Sequence, residues 1–217
     1  MRLYSYFRSS ASYRVRIALA LKKLEVEYVA VHLAKNEQLA PAFRAVAPAQ
    51  LVPALVVDDP GAGEVTLTQS LAIIEYLDET FPEPRLLPDD ALGRARVRSL
   101  ALDIACEIHP LDNLRVLRYL QRELKVADED KDRWYRHWVE TGLEVVERQL
   151  AGHRDTGRFC HGDRPGLADC VLVPQIFNAR RMDCRLDHVP TVMRVFDACM
   201  AEPAFAQTQP SACPDAT

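Results

Sequence analysis

The chain is short of cysteine where cysteine would carry chemistry. It has six, Cys106, Cys160, Cys170, Cys184, Cys199 and Cys213, and none before Cys106. No two form a C-x-x-C pair, and their spacing fits no zinc pattern, so no metal is expected. In a chain of this size they read as reduced, packed thiols, which points to a cytoplasmic protein rather than a disulfide scaffold. Basic charge is also scarce: 27 Lys and Arg stand against 31 Asp and Glu, for a net charge of −4. A general nucleic-acid binder needs the opposite balance, so no nucleic-acid partner is expected. No apolar run approaches the length of a transmembrane helix, and no membrane partner is expected. The opening residues lack the charged-then-apolar layout of a signal peptide. Internal repeats and low-complexity tracts are missing too.

What is present is enough apolar material for a sizeable core: 48% of the 217 residues are hydrophobic. Arg2 to Tyr6 reads as a strand, Ser12 to Leu24 as a helix, and β-branched Val26 to Val31 as a second strand. Glu37 to Val46 reads as a weaker helix. Pro53 to Val57 and Glu64 to Leu67 read as strands around the turn Asp58-Asp59-Pro60-Gly61-Ala62-Gly63, and Ser70 opens a helix to Phe81. The order βαβαββα implies a mixed sheet with helices on its faces. Pro82, Pro84 and Pro88 then make a stiff linker over 83–88, which divides the chain into domains at 1–82 and 89–217. Beyond it strand signals vanish. Asp89 to Arg122, Lys131 to Leu150, Leu167 to Arg181 and Thr191 to Ala201 read as helices, with a kink at Pro110. The polar tail from Gln207 is expected to wrap loosely.

The segment Tyr4-Ser5-Tyr6-Phe7-Arg8-Ser9-Ser10-Ala11-Ser12-Tyr13-Arg14-Val15 carries the most information. A strand meets a cluster of hydroxyls, and a helix follows at once. Hydroxyl donors and a helix N-terminus at one spot favour negative charge. A thiol placed there would ionise more readily, and since the segment has no cysteine, that thiol would come from a ligand. Ser9, Ser10 and Ser12 are the candidate donors. Serines at a helix start are equally well read as caps, and one serine can serve both roles.

Four segments together resemble the zeta class of the glutathione transferases. Ser9-Ser10-Ala11-Ser12-Tyr13-Arg14-Val15-Arg16-Ile17-Ala18-Leu19 is similar to its S-S-C-S-x-R-V-R-I-A-L signature, and Leu51-Val52-Pro53-Ala54-Leu55 to its V-P-x-L turn. Gln69-Ser70-Leu71-Ala72-Ile73-Ile74-Glu75-Tyr76-Leu77 is similar to its Q-S-x-A-I-I-E-Y-L helix start, and Leu167-Ala168-Asp169 with Val173-Pro174-Gln175 to a later segment. The resemblance implies the glutathione transferase architecture: a thioredoxin-like α/β domain, then an all-α domain that completes the substrate pocket. It also implies a homodimer with glutathione as cofactor. The implied reaction is cis–trans isomerisation of maleylacetoacetate, in tyrosine and phenylalanine breakdown, or of maleylpyruvate.

By this resemblance Ser9 and Ser10 stand at the paired catalytic serines, with Ser12 a third hydroxyl. Gln69 and Ser70 match the pair that holds the γ-glutamyl carboxylate of glutathione. Val52 matches a backbone contact to its cysteinyl amide, which requires a cis Pro53. Gln38 aligns more loosely with a glutathione contact, and Asn113 with a ligand contact. Arg8, Arg115 and Arg181 suit the carboxylates of the substrate, since arginine makes bidentate pairs with them, and His109 is a further substrate-binding candidate. Arg8 reads equally as a surface arginine, Arg180 and Arg181 as a solvated face, and His109 as a helix histidine satisfied by its neighbours. Asp169 reads as structural. The chain departs from the signature at Ala11, where the class has cysteine. Two other functions compete: a general glutathione conjugator or dehalogenase of small α-halo acids, and a non-enzymatic binding protein of the same fold.

Overall fold

The computed structural model describes residues 1–216. They form two compact units, Met1–Leu86 together with the segment from Glu202 onward, and Leu87–Ala201. In the first, β1 (Arg2–Ser5), α1 (Ser10–Leu21), β2 (Glu27–Ala30), α2 (Pro41–Val46), β3 (Ala54–Asp59), β4 (Gly63–Thr68) and α3 (Ser70–Thr80) follow in the expected βαβαββα order. The sheet runs β2-β1-β3-β4. β1 pairs parallel with β2, with Leu3 opposite Tyr28, and antiparallel with β3, with Leu3 opposite Leu55. The β3–β4 hairpin turns where the Asp59 carboxylate accepts the amides of Gly61 and Ala62, and Gly63 takes φ +75°. α1 and α3 pack against each other, burying Val15, Ile17, Ile73, Ile74 and Leu77.

The second unit is helical: α4 (Ala91–Leu102), α5 (Leu114–Arg122), α6 (Asp128–Leu150), α7 (Leu167–Arg181) and α8 (Pro190–Met200). Its core includes Leu100, Ile104, Ile108, Tyr135, Val139, Leu143 and Leu167. Gly142 of α6 lets Ile108 approach so closely that a Cβ there would overlap the Ile108 side chain. Asp169 is buried and structural. Its carboxylate accepts the amides of Cys160 at 2.9 Å and Gly166 at 2.8 Å, so it supplies the start of α7 with the cap that a glycine lacks. Among the described residues no helix is long and apolar enough to cross a membrane, and no cluster of side chains is placed to hold a metal ion.

Three sequence expectations are corrected, and the stiff linker is tied down as well. The helix expected over 37–46 breaks into a 3₁₀ turn, Glu37–Leu39, and short α2, and a further 3₁₀ turn, Leu33–Lys35, precedes it. Asn36 takes a left-handed φ of 62°, and Pro41 cannot continue a helix as a donor. The helix expected over 89–122 is interrupted rather than merely kinked. It passes into a π-helical stretch, Asp103–Ile108, and stops before Pro110, and Asn113 caps a new helix, α5. The linker is tied down, because Lys22 Nζ donates to the carbonyls of Phe81 and Pro84, at 2.7 and 2.9 Å, and the Leu86 amide donates to Asp78 at 2.8 Å.

The tail does not wrap loosely, and it belongs to the first unit rather than to a domain spanning 89–217. α9 (Pro203–Ala206) lies against α1, Phe205 is fully buried, and Cys213 joins a core cluster with Tyr6, Phe7, Val31 and Phe43. Apolar anchors at either end of the segment outweigh its polar composition.

Candidate active site

The hydroxyl-rich turn lies between the end of β1 and the start of α1. Ser9 is the N-cap, with extended backbone, and its Oγ accepts the Ser12 amide at 3.2 Å. Ser10 is the first helical residue, and it is buried. The N-terminus of α1 is therefore directed at the space before the helix, beside the Ser9 and Ser10 hydroxyls. Ser12, the third candidate donor, is enclosed by the fold. The residue has 0% exposure, and its hydroxyl has no hydrogen-bond partner among the described residues, so its amide serves the turn and its side chain faces the interior. Arg8 is exposed, with its guanidinium 4.9 Å from the centre of the Phe7 ring.

The remaining glutathione candidates of the first unit are at loop ends. Val52 lies two residues before β3, outside the sheet ladder, and the Val52–Pro53 bond is cis. Gln38 is buried, and its Oε1 has no partner among the described residues, an acceptor left for a donor from elsewhere. Gln69 caps α3 with a left-handed φ of 67°, a conformation non-glycine residues adopt only where surroundings impose it. Its side chain makes no cap bond and is exposed. Ser70 opens α3, and its Oγ accepts from Arg14 Nη1 at 3.3 Å. A carboxylate at this point would meet the N-terminus of an eleven-residue helix.

The other candidates belong to the second unit. His109 is half-buried; its amide donates to the Ile104 carbonyl at 2.9 Å, closing the π-helical turn, and its carbonyl accepts from Asp112. Asn113 caps α5, with Oδ1 accepting the Arg115 amide at 3.0 Å. Arg115 is exposed in the first turn of α5, where the helix dipole disfavours a cation, so helix stability does not explain it. Arg181 occupies the last turn of α7, where the dipole does favour a cation, with Nε 3.4 Å from Asn178 Oδ1. Arg180 is engaged elsewhere, over the Phe196 ring at 4.3 Å and 3.8 Å from Asp197.

Comparison with known proteins gives these residues their context. Residues 1–79 match the glutathione S-transferase N-terminal domain, and residues 130–201 the glutathione S-transferase C-terminal domain. A probable maleylacetoacetate isomerase of Vibrio cholerae is 49% identical, over 99% of this chain and 97% of its own. A solved maleylpyruvate isomerase, described as a bacterial glutathione S-transferase in the zeta class, is 46% identical, with a TM-score of 0.94 over 100% of both chains. The chain belongs to the zeta class of the glutathione transferases. A third relative, a solved maleylacetoacetate isomerase from Anaeromyxobacter dehalogenans 2CP-1, is 44% identical, covers 100% of this chain and 97% of its own, and has a TM-score of 0.88. It holds dicarboxyethyl glutathione and citrate in its active site.

Sequence reasoning gave no role to two arginines of this zeta-class chain, Arg14 and Arg16, which are 2% and 7% exposed. Arg14 ties the start of α3 to α1 through Ser70. Arg16 donates to the carbonyls of Tyr6, Phe7 and Thr208. A signal was there to find. Two arginines two residues apart in an otherwise apolar helix lie on different faces, and at least one must be buried with partners.

Proposed function

We propose that the chain is a glutathione-dependent cis–trans isomerase that converts maleylacetoacetate to fumarylacetoacetate. The observation that carries this reading is the turn at Ser9 and Ser10, where two hydroxyls meet the N-terminus of α1 and the chain supplies no thiol of its own. The glutathione thiolate adds to one carbon of the cis double bond, and the electron pair moves onto the conjugated carbonyl as an enolate. The former double bond is now single and rotates. Collapse of the enolate expels the thiolate and leaves the trans isomer, so glutathione is not consumed. Dicarboxyethyl glutathione, held by the Anaeromyxobacter relative, is the kind of adduct that such an addition to an unsaturated dicarboxylate yields.

In this reading Ser9 and Ser10 donate to the thiolate. Gln38, the Val52 backbone ahead of Pro53, Gln69 and Ser70 hold the tripeptide, with Asn113 as a further ligand contact. Arg8, His109, Arg115 and Arg181 bind the substrate, the arginines through its carboxylates. The homodimer and the cytoplasmic location belong to the same proposal. Maleylpyruvate is the second reading, favoured by Ala11, by Arg115 and by the likeness to the solved maleylpyruvate isomerase. A general conjugator or dehalogenase would prefer an apolar pocket, and the arginines argue against it.

The test is a comparison of kcat/KM for maleylacetoacetate, maleylpyruvate and a small α-halo acid, each with glutathione. Maleylacetoacetate is expected to lead. A lead for maleylpyruvate would transfer the assignment to the second reading, and a lead for the halo acid would overturn both.

A further inference from the structure

The C-terminal segment returns to the turn that precedes α1. Asp215 Oδ2 accepts the Phe7 amide at 3.1 Å, and Oδ1 accepts the Tyr28 hydroxyl at 2.6 Å. On the other side of Phe7, its carbonyl accepts from Arg16 Nη2 at 3.1 Å, while Arg16 Nε donates to the Thr208 carbonyl at 3.1 Å. One guanidinium thus spans the tail and the turn. The Tyr13 hydroxyl donates to the Phe205 carbonyl at 3.0 Å, and Cys213 packs with Tyr6 and Phe7. β1 ends at Ser5, so Phe7 lies beyond the sheet ladder, and its two peptide groups are engaged by Asp215 and by Arg16 instead. The Ser9 amide in turn donates to the Tyr6 carbonyl at 2.9 Å.

We propose that Asp215 is a positioning residue for the thiolate site: the tail is a strap that fixes the Phe7-Arg8-Ser9 backbone and so aims the serine hydroxyls. The proposal rests on the reading of Ser9 and Ser10 as thiolate donors. A donor that strengthens charge stabilisation must be held to a fraction of an ångström, and the hydroxyls sit on a turn with no sheet pairing of its own. The strap is assembled from residues about two hundred positions away in sequence. The Asp215 charge is set against Arg16, so the carboxylate can hold the Phe7 amide without presenting an unmatched negative charge to the turn.

The experiment compares Asp215→Ala, Asp215→Asn and Tyr28→Phe with the parent chain. Three quantities are read: the pH at which bound glutathione ionises, followed by thiolate absorbance; kcat and KM for the isomerisation; and Tm. Asp215→Ala should raise the ionisation pH and lower kcat about tenfold or more, with a smaller change in the KM for glutathione. Asp215→Asn keeps an oxygen that accepts the Phe7 amide and should recover most of the loss. Tyr28→Phe removes the other bond to the same carboxylate and should lower Tm while kcat and the ionisation pH stay close to the parent values. A folded Asp215→Ala protein with parental kcat and ionisation would overturn the proposal. If that variant does not fold, Asp215→Glu, which displaces the acceptor by one methylene, must lower kcat in the same way, and parental kcat would overturn it. A parent chain that leaves the glutathione thiol unperturbed would instead refute the underlying thiolate reading, whatever the Asp215 variants do.

Discussion

The Ser9 hydroxyl accepts the Ser12 amide at 3.2 Å, and that bond does not use its own proton. With one lone pair committed to the helix, the O–H remains to be donated outward. The cap and the proposed thiolate donor can therefore be one atom used twice, and the two readings of this serine are compatible.

Substitution separates the two uses. Ser9→Ala should cost about 1 kcal/mol of stability, the typical loss of a cap, and also lower kcat/KM. Ser10→Ala removes no cap bond and should leave Tm closer to the parent. At least one of the two should lower kcat/KM tenfold or more, since a hydrogen bond to a charged group is worth about 1.5–3 kcal/mol. Thermal melts and steady-state kinetics on both variants decide this, and two fully active proteins would move the thiolate partner elsewhere.

Arg115 is exposed at the dipole-disfavoured end of α5, and the proposed function gives it a substrate carboxylate to bind. Arg115→Ala should raise KM for a dicarboxylate more than for a neutral acceptor, because only the former loses a charged partner. Arg115→Lys should recover part of the loss, since lysine lacks the bidentate fork. Equal effects on charged and neutral substrates would make Arg115 structural.

Lys22 and Asp78 form a buried pair at 2.8 Å, with side-chain exposures of 0% and 8%. Lys22→Met would leave Asp78 buried without its counter-charge and release the Phe81 and Pro84 carbonyls. Removing one member of such a pair costs about 3–5 kcal/mol. Urea unfolding should show a loss of that order, and a loss below about 1 kcal/mol would show the pair to be dispensable.

Asp112 gives stability a pH dependence. Both its carboxyl oxygens are buried without a partner among the described residues, and burial pushes the group up to about 8. In the unfolded chain it titrates at about 4. Between these values the folded protein keeps a proton that the unfolded chain has released. Stability from this group is therefore full below about pH 4 and is lost as pH rises through about 8. Tyr135, Arg181 and Cys184 face the same region, and burial pushes the Tyr135 phenol and the Cys184 thiol upward as well. Asp112→Asn should flatten the decline measured by denaturant unfolding across this range. An unchanged slope would assign it to other groups.

The first unit was legible because its signals are local. Strand alternation, the Asp58–Gly63 turn and the serine-led starts of α1 and α3 each depend on neighbours a few residues away. The breaks in the 37–46 and 89–122 segments were harder to read. Glu37 accepts the His32 amide at 2.6 Å and so competes with a helix, and at Pro110 composition alone does not decide between a kink and a stop. The tail was misread because its order comes from partners far away in sequence: Asp215 with Phe7 and Tyr28, Arg16 with Thr208. The serines of the site were visible as a pattern. The burial of Ser12 was not, since helix phase relative to the core is a property of packing.

The central claim is that a glutathione thiolate, held at Ser9 and Ser10, carries the isomerisation. It is tested most directly by dialysing the protein exhaustively and following conversion of maleylacetoacetate to its trans isomer with and without added glutathione. The account predicts negligible conversion without glutathione, full recovery on adding it, and no net consumption of the tripeptide. Full activity of the dialysed protein without glutathione would contradict it.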